Sequence, residues 1–273
     1  MNKTIGKEAQ ALLALDSKVA LLGTTDGEGC PHLTFLSSIQ GLGDDRITFG
    51  QFSTGLSKAF LPARPDCAFL ALTPDMRWLR GRARFTHTAQ TGPEFDEYNN
   101  KPLFRYNAYF GFNTIWYLDL LGVTDVQKLP LPKIGAGAVL SRLAAPLSAR
   151  SDKQALSRFG RALFGKLDGP KFLCYEGAEG LVIVPVIQAA HAGTDRVVIS
   201  GLPYGADLKG LKPGAPVCVM ALNLDMQSVL VKGMYTGKRG AHVIEIERVY
   251  NSMPPAAGYI YPRAAGPETV TEF

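Results

Sequence analysis

The sequence has little that would mark a secreted, metal-binding or membrane-spanning protein. Its 273 residues include only four cysteines and four histidines, and none is spaced as a Cys-x-x-Cys pair or a zinc-ligand set. We therefore expect buried, reduced cysteines and no structural metal, as is usual in the cytoplasm. The apolar runs fall well short of the roughly 20 residues that cross a bilayer. The sequence thus predicts a cytoplasmic location and no membrane partner.

Charged residues are also sparse, at 19%, and the net charge of +5 is concentrated in one stretch. Residues 142–171 hold seven lysines and arginines against two aspartates, and seven minus two equals the whole excess of five. In this stretch Leu156, Phe159, Leu163 and Phe164 follow helical spacing, which predicts an amphipathic helix with a basic outer face. A nucleic acid or another anionic partner would suit such a face. A solvated helix surface is the more ordinary interpretation, so a nucleic-acid function is not favoured.

Glycine and proline are abundant, with 29 and 18 residues, and they separate many short apolar segments. Short strands with frequent turns and few helices are typical of an antiparallel β-rich fold. Crossover helices, which a parallel sheet requires, are not predicted between these strands. The fold class expected from the pattern is mainly β, of the α+β type, with a first helix over about residues 4–15.

The chain contains an internal repeat at an offset of 150 residues. Residues 43–86 align without a gap with residues 193–236, and ten of the 44 positions are identical. Ordinary residue frequencies would give about three identities by chance. The repeat predicts two copies of one domain, over residues 1–130 and 151–273. Proline, glycine and alanine are frequent over residues 131–150, which predicts a linker there.

Several short motifs of the first copy follow one another in an order that is typical of one flavoprotein superfamily. They are, in sequence, "VALLGTTDGEGCPHLTFLSSI", "DDRITFGQ", "STGLSK", "PARPDCAFLAL" and "WLRGRARF", the last built around Gly81. Over about residues 4–125 the chain therefore resembles the pyridoxamine 5'-phosphate oxidase-like, FMN-binding split-barrel superfamily, and the second copy resembles it more weakly. The resemblance implies two tandem antiparallel, six-stranded Greek-key barrels with short helices. It also implies an intrachain pseudo-dimer or a homodimer.

The bend "STGLSK" carries groups that suit an anion. Ser53, Thr54 and Ser57 offer hydroxyl donors, Lys58 offers an ammonium group, and Gly55 allows close approach of the backbone. A helix that begins here would add free N–H groups and the positive end of its dipole. The resemblance implies that these groups hold the phosphate of FMN. The alternative is that Ser57 only caps the helix and that Lys58 is solvated.

The resemblance also places the flavin ring along the second and third strands. It implies further cofactor contacts from Thr34, Phe35, Leu36, Ser37, Gln51 and Phe52. Oxidases of the family carry an arginine near the position of Thr34. Because alternate residues share one face of a strand, Arg80 or Arg82, in a row with Arg84, is a candidate replacement. The aromatic segment that follows offers weaker substrate-pocket candidates, with packing between the two halves as the alternative: Arg105, Tyr106, Tyr109 and Trp116.

The second copy does not keep the groups of the bend. The positions of Ser53, Thr54, Ser57 and Lys58 are taken there by Pro203, Tyr204, Asp207 and Leu208. A carboxylate at Asp207 would repel a phosphate. We therefore predict one flavin site per chain, built on the first copy, with a degenerate second copy that contributes a wall.

These features favour an FMN-dependent oxidoreductase that acts on an unknown small molecule, with no catalytic residue assigned. The alternatives are a flavin-binding or flavin-sensing protein without turnover, and a split-barrel protein that holds FAD, deazaflavin F420 or haem. His32 and His87 would be the candidate haem ligands. Pyridoxamine-phosphate oxidase activity itself is not expected. The arginine- and tryptophan-rich C-terminal segment of those oxidases is missing, and "GYIYPRAAGPETVTEF" stands at the end of this chain.

Overall fold

The structure is a computed structural model, and it describes residues 1–51, 55–101, 111–148, 152–223, 225, 227–251 and 258–262. Within these residues the chain forms six helices and sixteen strands. The strands are arranged in two antiparallel sheets of eight strands each. The expected mainly β class with short helices is therefore confirmed.

The first sheet is formed by residues 19–128. The helices of this half are Lys7–Ala14 (α1), Leu56–Phe60 (α2) and Pro93–Asn100 (α3). Its strands are Val19–Thr25 (β1), Pro31–Phe35 (β2), Gln40–Leu42 (β3), Arg46–Gln51 (β4), Asp66–Leu72 (β5), Arg77–Ala89 (β6), Thr114–Val123 (β7) and Gln127–Lys128 (β8). The strand order is β2-β1-β5-β6-β7-β4-β3, and β8 pairs with β6. The six strands expected from the sequence are the longer ones, and β3 and β8 are short additions.

The second sheet is formed by residues 171–261. The helices of this half are Leu131–Ser148 (α4), Arg158–Gly165 (α5) and Gly205–Leu208 (α6). Its strands are Lys171–Gly177 (β9), Gly180–Pro185 (β10), Ala190–Ala192 (β11), Arg196–Ile199 (β12), Pro216–Leu222 (β13), Ser228–Arg239 (β14), Ala241–Asn251 (β15) and Gly258–Tyr261 (β16). The order is β10-β9-β13-β14-β15-β12-β11, and β16 pairs with β15.

The two sheets repeat one topology. If β1 to β7 are matched with β9 to β15, the two strand orders are identical. The register shifts of the β6–β7 pair fall at Arg82/Ala83 and Phe85/His87. Those of β14–β15 fall at Lys232/Gly233 and Tyr235/Gly237, each 150 residues later. Because bulges are specific features of a strand pair, their agreement extends the sequence repeat to the backbone.

By its internal contacts the chain divides into two compact units. The first comprises residues 1–130 together with 174–183, and the second comprises residues 131–173 and 184–273. The main core of the first unit contains the rings of Phe49, Phe69 and Trp116. All four cysteines of the chain are buried thiols. None of the helices in the described ranges is both long and apolar enough to span a membrane.

The segment assigned to a linker by its composition contains the longest described helix of the chain, α4. Proline is tolerated in the first turn of a helix, and Pro132 stands there. The inner side of α4 is buried at Ile134, Gly137 and Ala138. At Gly137 a β carbon would lie 3.3 Å from Gln188 and Pro203, so glycine and alanine here allow the helix to lie close to its unit. The composition that indicated a linker is thus also suited to close helix packing.

The basic helix predicted near residue 160 is α5. Ser157 is its N-cap and accepts a hydrogen bond from the Gly160 amide at 3.1 Å, which is the usual way to satisfy a free N–H group of the first turn. Leu163 and Phe164 are buried as expected, but Phe159 is 41% exposed. The prediction that Phe159 belongs to the buried face was therefore wrong, since its side chain lies at the edge of that face and is open to solvent.

Candidate functional site

The bend before α2 leads directly into a five-residue helix. Gly55 is the N-cap residue in an extended conformation, and no side chain caps the helix. Ser57 is the second helical residue and is only 1% exposed. The alternative role of Ser57 as the cap is therefore not the arrangement in the structure. A helix this short also adds little dipole, so the side chains have to provide the chemistry.

Three hydroxyl groups meet beneath α2. The Thr24 hydroxyl donates a hydrogen bond to Ser57 Oγ at 3.1 Å. The Thr34 and Ser57 hydroxyls lie 2.6 Å apart, and either one can be the donor. Leu22 and Thr34 are directly opposite each other on β1 and β2, and Thr24 is opposite His32. Because alternate residues point to the same side of a strand, this hairpin presents both threonines to the helix.

The three hydroxyls differ in their exposure. Thr24 and Ser57 are buried, whereas Thr34 is partly exposed. Each hydroxyl has one proton to donate and can accept two hydrogen bonds. Two hydrogen bonds join the three groups, so one of their three protons is not used within this cluster. Of the three, Thr34 is the one that an outside molecule can reach.

Lys58 follows Ser57 on α2, and its side chain is also buried, with 8% exposure. Burial lowers the pKa of the Lys58 ammonium from 10.5 to about 8, because a charge loses hydration in a low-dielectric surrounding. The alternative of a solvated lysine, which the sequence left open, does not fit this burial. At neutral pH Lys58 is therefore a cation that is held out of water.

The two candidate haem ligands lie in different surroundings. His32 is buried at 1% exposure, and its ring meets the Phe60 ring edge-on at 5.7 Å. His87 is exposed and stacks on Tyr117 with a centroid distance of 4.4 Å. His32 thus forms part of the wall between α2 and the β1–β2 hairpin.

The residues that follow Thr34 provide fewer accessible groups than expected. Phe35 is half-buried at the end of β2, and Ser37 is half-buried in the turn beyond it. The Leu36 side chain belongs to the main core of the first unit. Its amide donates to the Ala20 carbonyl at 2.8 Å. Neither the side chain nor the amide of Leu36 is therefore available to a cofactor.

Gln51 and Trp116 are brought together in the structure. The Trp116 indole N–H donates to Gln51 Oε1 at 2.7 Å. The indole also lies parallel to the Phe49 ring, at 5.7 Å and 7°, and is 7% exposed. Trp116 is thus a core residue whose polar atom is satisfied by Gln51. The substrate-pocket role of Trp116 stays a weak prediction.

The arginine row of β6 is held by hydrogen bonds within the first unit. Arg80 Nη1 donates to the Ile183 carbonyl at 3.2 Å, and Arg82 Nη2 lies 2.9 Å from Glu179 Oε2. Arg84 forms two hydrogen bonds with Asp66, at 2.6 and 2.9 Å. Arg82 and Arg84 are thus ion-paired, and Arg80 is bonded to a backbone carbonyl. Arg82 is the weaker replacement candidate, since a carboxylate already accompanies its charge.

Several candidates lie outside the described residues. They are the bend and strand-end residues Phe52, Ser53 and Thr54, and the aromatic-segment residues Arg105, Tyr106 and Tyr109. Sequence reasoning missed Thr24, which is fully buried and donates to Ser57. The signal that could have found it is a threonine inside the apolar run "VALLGTTDG", where a buried hydroxyl requires a partner.

The second copy provides an internal comparison for this site. The Leu36 amide bonds to the Ala20 carbonyl, and the Val186 amide bonds to the Lys171 carbonyl in the same way. From this pairing, Thr24 and Thr34 correspond to Tyr175 and Val184, whereas Ser57 and Lys58 correspond to Asp207 and Leu208. Val184 and Leu208 are fully buried. Val184, Asp207 and Leu208 have neither a hydroxyl nor an ammonium group, and Tyr175 has a phenol in place of the threonine hydroxyl.

Comparison with known proteins gives only structural similarities. No protein-family model and no curated protein matches the chain. An FMN-binding protein from Syntrophomonas wolfei is similar over 43% of this chain and 83% of its own, with 17% identity and a TM-score of 0.38. A NimC/NimA family protein from Clostridium acetobutylicum is similar over 43% and 82%, with 12% identity and a TM-score of 0.34. The styrene monooxygenase flavin reductase of Pseudomonas putida is similar over 42% and 85%, with 11% identity and a TM-score of 0.28. Similarities at this level do not assign the chain to a family.

Proposed function

We propose that the first half of the chain binds FMN through its phosphate and works as an FMN-dependent oxidoreductase of a small molecule. One observation carries the proposal. Lys58, a buried lysine, follows Ser57 in α2, and Ser57 is the middle member of a chain of three hydroxyls that ends at the partly exposed Thr34. This donor set matches what a phosphate requires, namely a positive charge and hydroxyl protons. The sequence motifs of the bend point to the same ligand.

The direction of the hydroxyl chain suits an anion at Thr34. Thr24 donates to Ser57, and we assign the next hydrogen bond from Ser57 to Thr34. The proton of Thr34 is then free to point outward to a phosphate oxygen. Donors in such a chain polarise one another, which strengthens the last hydrogen bond. In this arrangement Thr34 contacts the phosphate, and Thr24 and Ser57 position it.

Lys58 would provide the charge. A phosphate monoester carries between about −1.5 and −2 charges at neutral pH. Burial is the cause of the lowered pKa of Lys58, so the ammonium group costs free energy in the protein without ligand. A bound phosphate would compensate that cost. A lysine ammonium on the protein surface would attract the phosphate less strongly, because water screens the interaction. The second copy, with Leu208 and Asp207, would bind no phosphate at the equivalent place.

The residues assigned here bind and orient the cofactor and take no part in the reaction itself. Bound flavin would supply the electron transfer, as cofactors generally do. The chain's contribution is to fix the phosphate at Thr34 and Lys58 and so to hold the rest of the molecule along the adjoining strands. Binding without turnover remains the second candidate function until a reductant is tested.

The spectrum of the freshly purified protein tests this function. We expect the visible absorption of an oxidised flavin, and release of a ligand with the mass of FMN on denaturation. Bleaching by NADH or NADPH at a useful rate would favour the oxidoreductase, and its absence would favour the flavin-binding alternative. A colourless protein that does not quench the fluorescence of added FMN would contradict the proposal. A Soret band would assign haem instead.

The affinity for FMN is expected to fall as the pH rises through about 8. A lowered lysine pKa means that the ammonium form, which attracts the phosphate, is populated below about 8 and lost above it. If the phosphate requires that form, binding should be about tenfold weaker at pH 9 than at pH 7. Titration of flavin fluorescence at both pH values would measure it. A pH-independent affinity would show that Lys58 is not the charged partner.

A further inference from the structure

The long helix α4 exposes an apolar face. Val139, Leu140, Leu143 and Leu147 follow helical spacing and so share one side of it. Leu143 and Leu147 are 68% and 79% exposed. Among the exposed residues of α4 only Lys133 is charged. Because soluble proteins seldom leave a contiguous apolar surface in water without a role, this side of α4 requires an explanation.

The neighbouring helix α5 adds cations to this surface. Arg142 of α4 donates to the Gly165 carbonyl at the end of α5, at 2.6 Å, which links α4 to the end of α5. Three basic side chains and one carboxylate, that of Asp168, are exposed on or just after α5, together with the apolar side chains of Phe159 and Leu167. We call the combined surface the α4–α5 face; it comprises Val139, Leu140, Leu143, Leu147, Arg158, Phe159, Arg161, Lys166 and Leu167.

The cations of the α4–α5 face are not neutralised within the described part of the chain. None of Arg158, Arg161 and Lys166 has an acidic partner there, whereas Lys153 is paired with Glu245 at 2.9 Å. Arginines and lysines on protein surfaces can remain solvated, so the cations alone would indicate nothing. Because exposed leucines accompany these cations, the partner of this surface is expected to offer both apolar and anionic groups.

We infer that the α4–α5 face docks the protein on an anionic lipid surface. Aliphatic and aromatic side chains enter the boundary between headgroups and acyl chains, while lysine and arginine side chains pair with the lipid phosphates. A second copy of the chain would bring two cationic faces together. A nucleic acid would use the cations but leave the leucines in water. The helix would lie on the bilayer and not cross it, so this inference replaces the expectation, drawn from the short apolar runs, that the chain has no membrane partner.

Sedimentation of the full-length protein with vesicles tests this inference. One set of vesicles contains phosphatidylcholine with roughly one third phosphatidylglycerol, and the other contains phosphatidylcholine alone. The protein is expected to sediment with the anionic vesicles and to remain in solution with the neutral ones. Raising the salt concentration should weaken the association, because each lysine or arginine near the surface contributes about 1 kcal/mol through a screened interaction.

Paired variants separate the two components. Leu143→Ser with Leu147→Ser removes apolar contact, and Arg158→Glu with Arg161→Glu reverses two charges. Each pair is expected to lower the partition coefficient about tenfold or more. The controls are Ile260→Ser, an apolar residue of β16 with 42% exposure, and Lys7→Glu with Lys212→Glu, which makes the same change in net charge at exposed sites outside the face. Both controls should sediment as the wild type does.

Three results would overturn the inference. The first is that the protein stays in solution with both kinds of vesicle, and the second is that it sediments equally with both. Alternatively, light scattering could show a dimer that the Leu143→Ser and Leu147→Ser pair converts to a monomer, which would assign the face to a second copy. None of these measurements depends on bound flavin. Failure of the lipid-docking inference can therefore be told apart from failure of the proposed function.

Discussion

Replacement of Lys58 by leucine is expected to weaken FMN binding by about a hundredfold or more. The variant removes the one buried ammonium of the proposed phosphate site, and hydrogen bonds between charged groups are worth about 1.5 to 3 kcal/mol. A factor of one hundred corresponds to about 2.7 kcal/mol. Quenching of FMN fluorescence on titration with the protein measures the change directly.

The same variant is expected to keep or increase the free energy of unfolding. The second copy already has a buried leucine, Leu208, at the equivalent position, so a leucine fits this corner of the fold. The pKa of Lys58 falls from 10.5 to about 8. Converted to a free energy, this pKa shift gives an upper limit of about 3 kcal/mol for the cost of burying the charge at neutral pH. Urea unfolding without FMN tests this half of the prediction.

Matched variants show whether the effect on binding is local. Lys18 is another buried lysine whose pKa burial lowers to about 8, and it donates to the Leu15 carbonyl. Lys18→Met should therefore leave FMN affinity unchanged, as should Asp207→Asn in the second copy. Thr34→Val, which copies Val184, should weaken binding about tenfold. An unchanged affinity in Lys58→Leu would mean that the phosphate is held elsewhere.

The combination of lost binding and retained stability is what separates a functional lysine from a structural one. Lys171 illustrates the structural kind. Its ammonium group donates to the carbonyls of Lys166, Gly169 and Ile187, and it closes the end of α5. Removal of a lysine that donates to three backbone carbonyls is expected to lower the free energy of unfolding.

Local patterns in the sequence predicted the architecture to a large extent. The repeat at an offset of 150 and the many short apolar segments between turns indicated two copies of one antiparallel sheet. These signals are local or compare one segment with another, so they can be read without knowing which residues are in contact in the fold. The short strands β3 and β11 were missed, because three-residue strands contain too few residues to show a period of two.

The candidate site was harder to predict, because it depends on contacts between distant residues. Ser57 was found from its motif, but its partner Thr24 is 33 positions away and lies in a different strand. Trp116 was a pocket candidate because it belongs to an aromatic segment. Its actual place against Phe49 follows from the pairing of β4 with β7, where the two residues are directly opposite. Sequence spacing does not reveal such pairings.

Gly81 is a position where sequence and structure agree and where a large effect on stability is expected. It is directly opposite Phe69 in the β5–β6 pair. A β carbon at Gly81 would lie 2.3 Å from Phe69 Cζ and 2.7 Å from the Gly122 carbonyl oxygen. The ring of Phe69 therefore occupies the space that any side chain at Gly81 would need. Gly81→Val is expected to lower the free energy of unfolding by about 3 kcal/mol or more.

The second copy fills the equivalent space with different residues. At the equivalent positions Val219 is directly opposite Val231 in the β13–β14 pair. One large and one minimal residue in the first copy are thus replaced by two of intermediate size. Because core packing depends on the combined volume of facing side chains, the two positions are expected to be energetically coupled.

A double-mutant cycle measures this coupling. Phe69→Val alone should cost about 2 to 4 kcal/mol through the cavity that it leaves. The variant that combines it with Gly81→Val should lose less than the sum of the two single losses, with a coupling energy of about 1 to 3 kcal/mol. Recovery of stability should be partial, since the Gly122 carbonyl still lies close to the new β carbon.

Gly27→Val is the control for this cycle, because nothing lies within 4 Å of a β carbon at Gly27. It should change the free energy of unfolding by no more than about 0.5 kcal/mol. Strictly additive losses in urea unfolding would show that Phe69 and Gly81 do not share one space, and that the Val219–Val231 pair is not their counterpart.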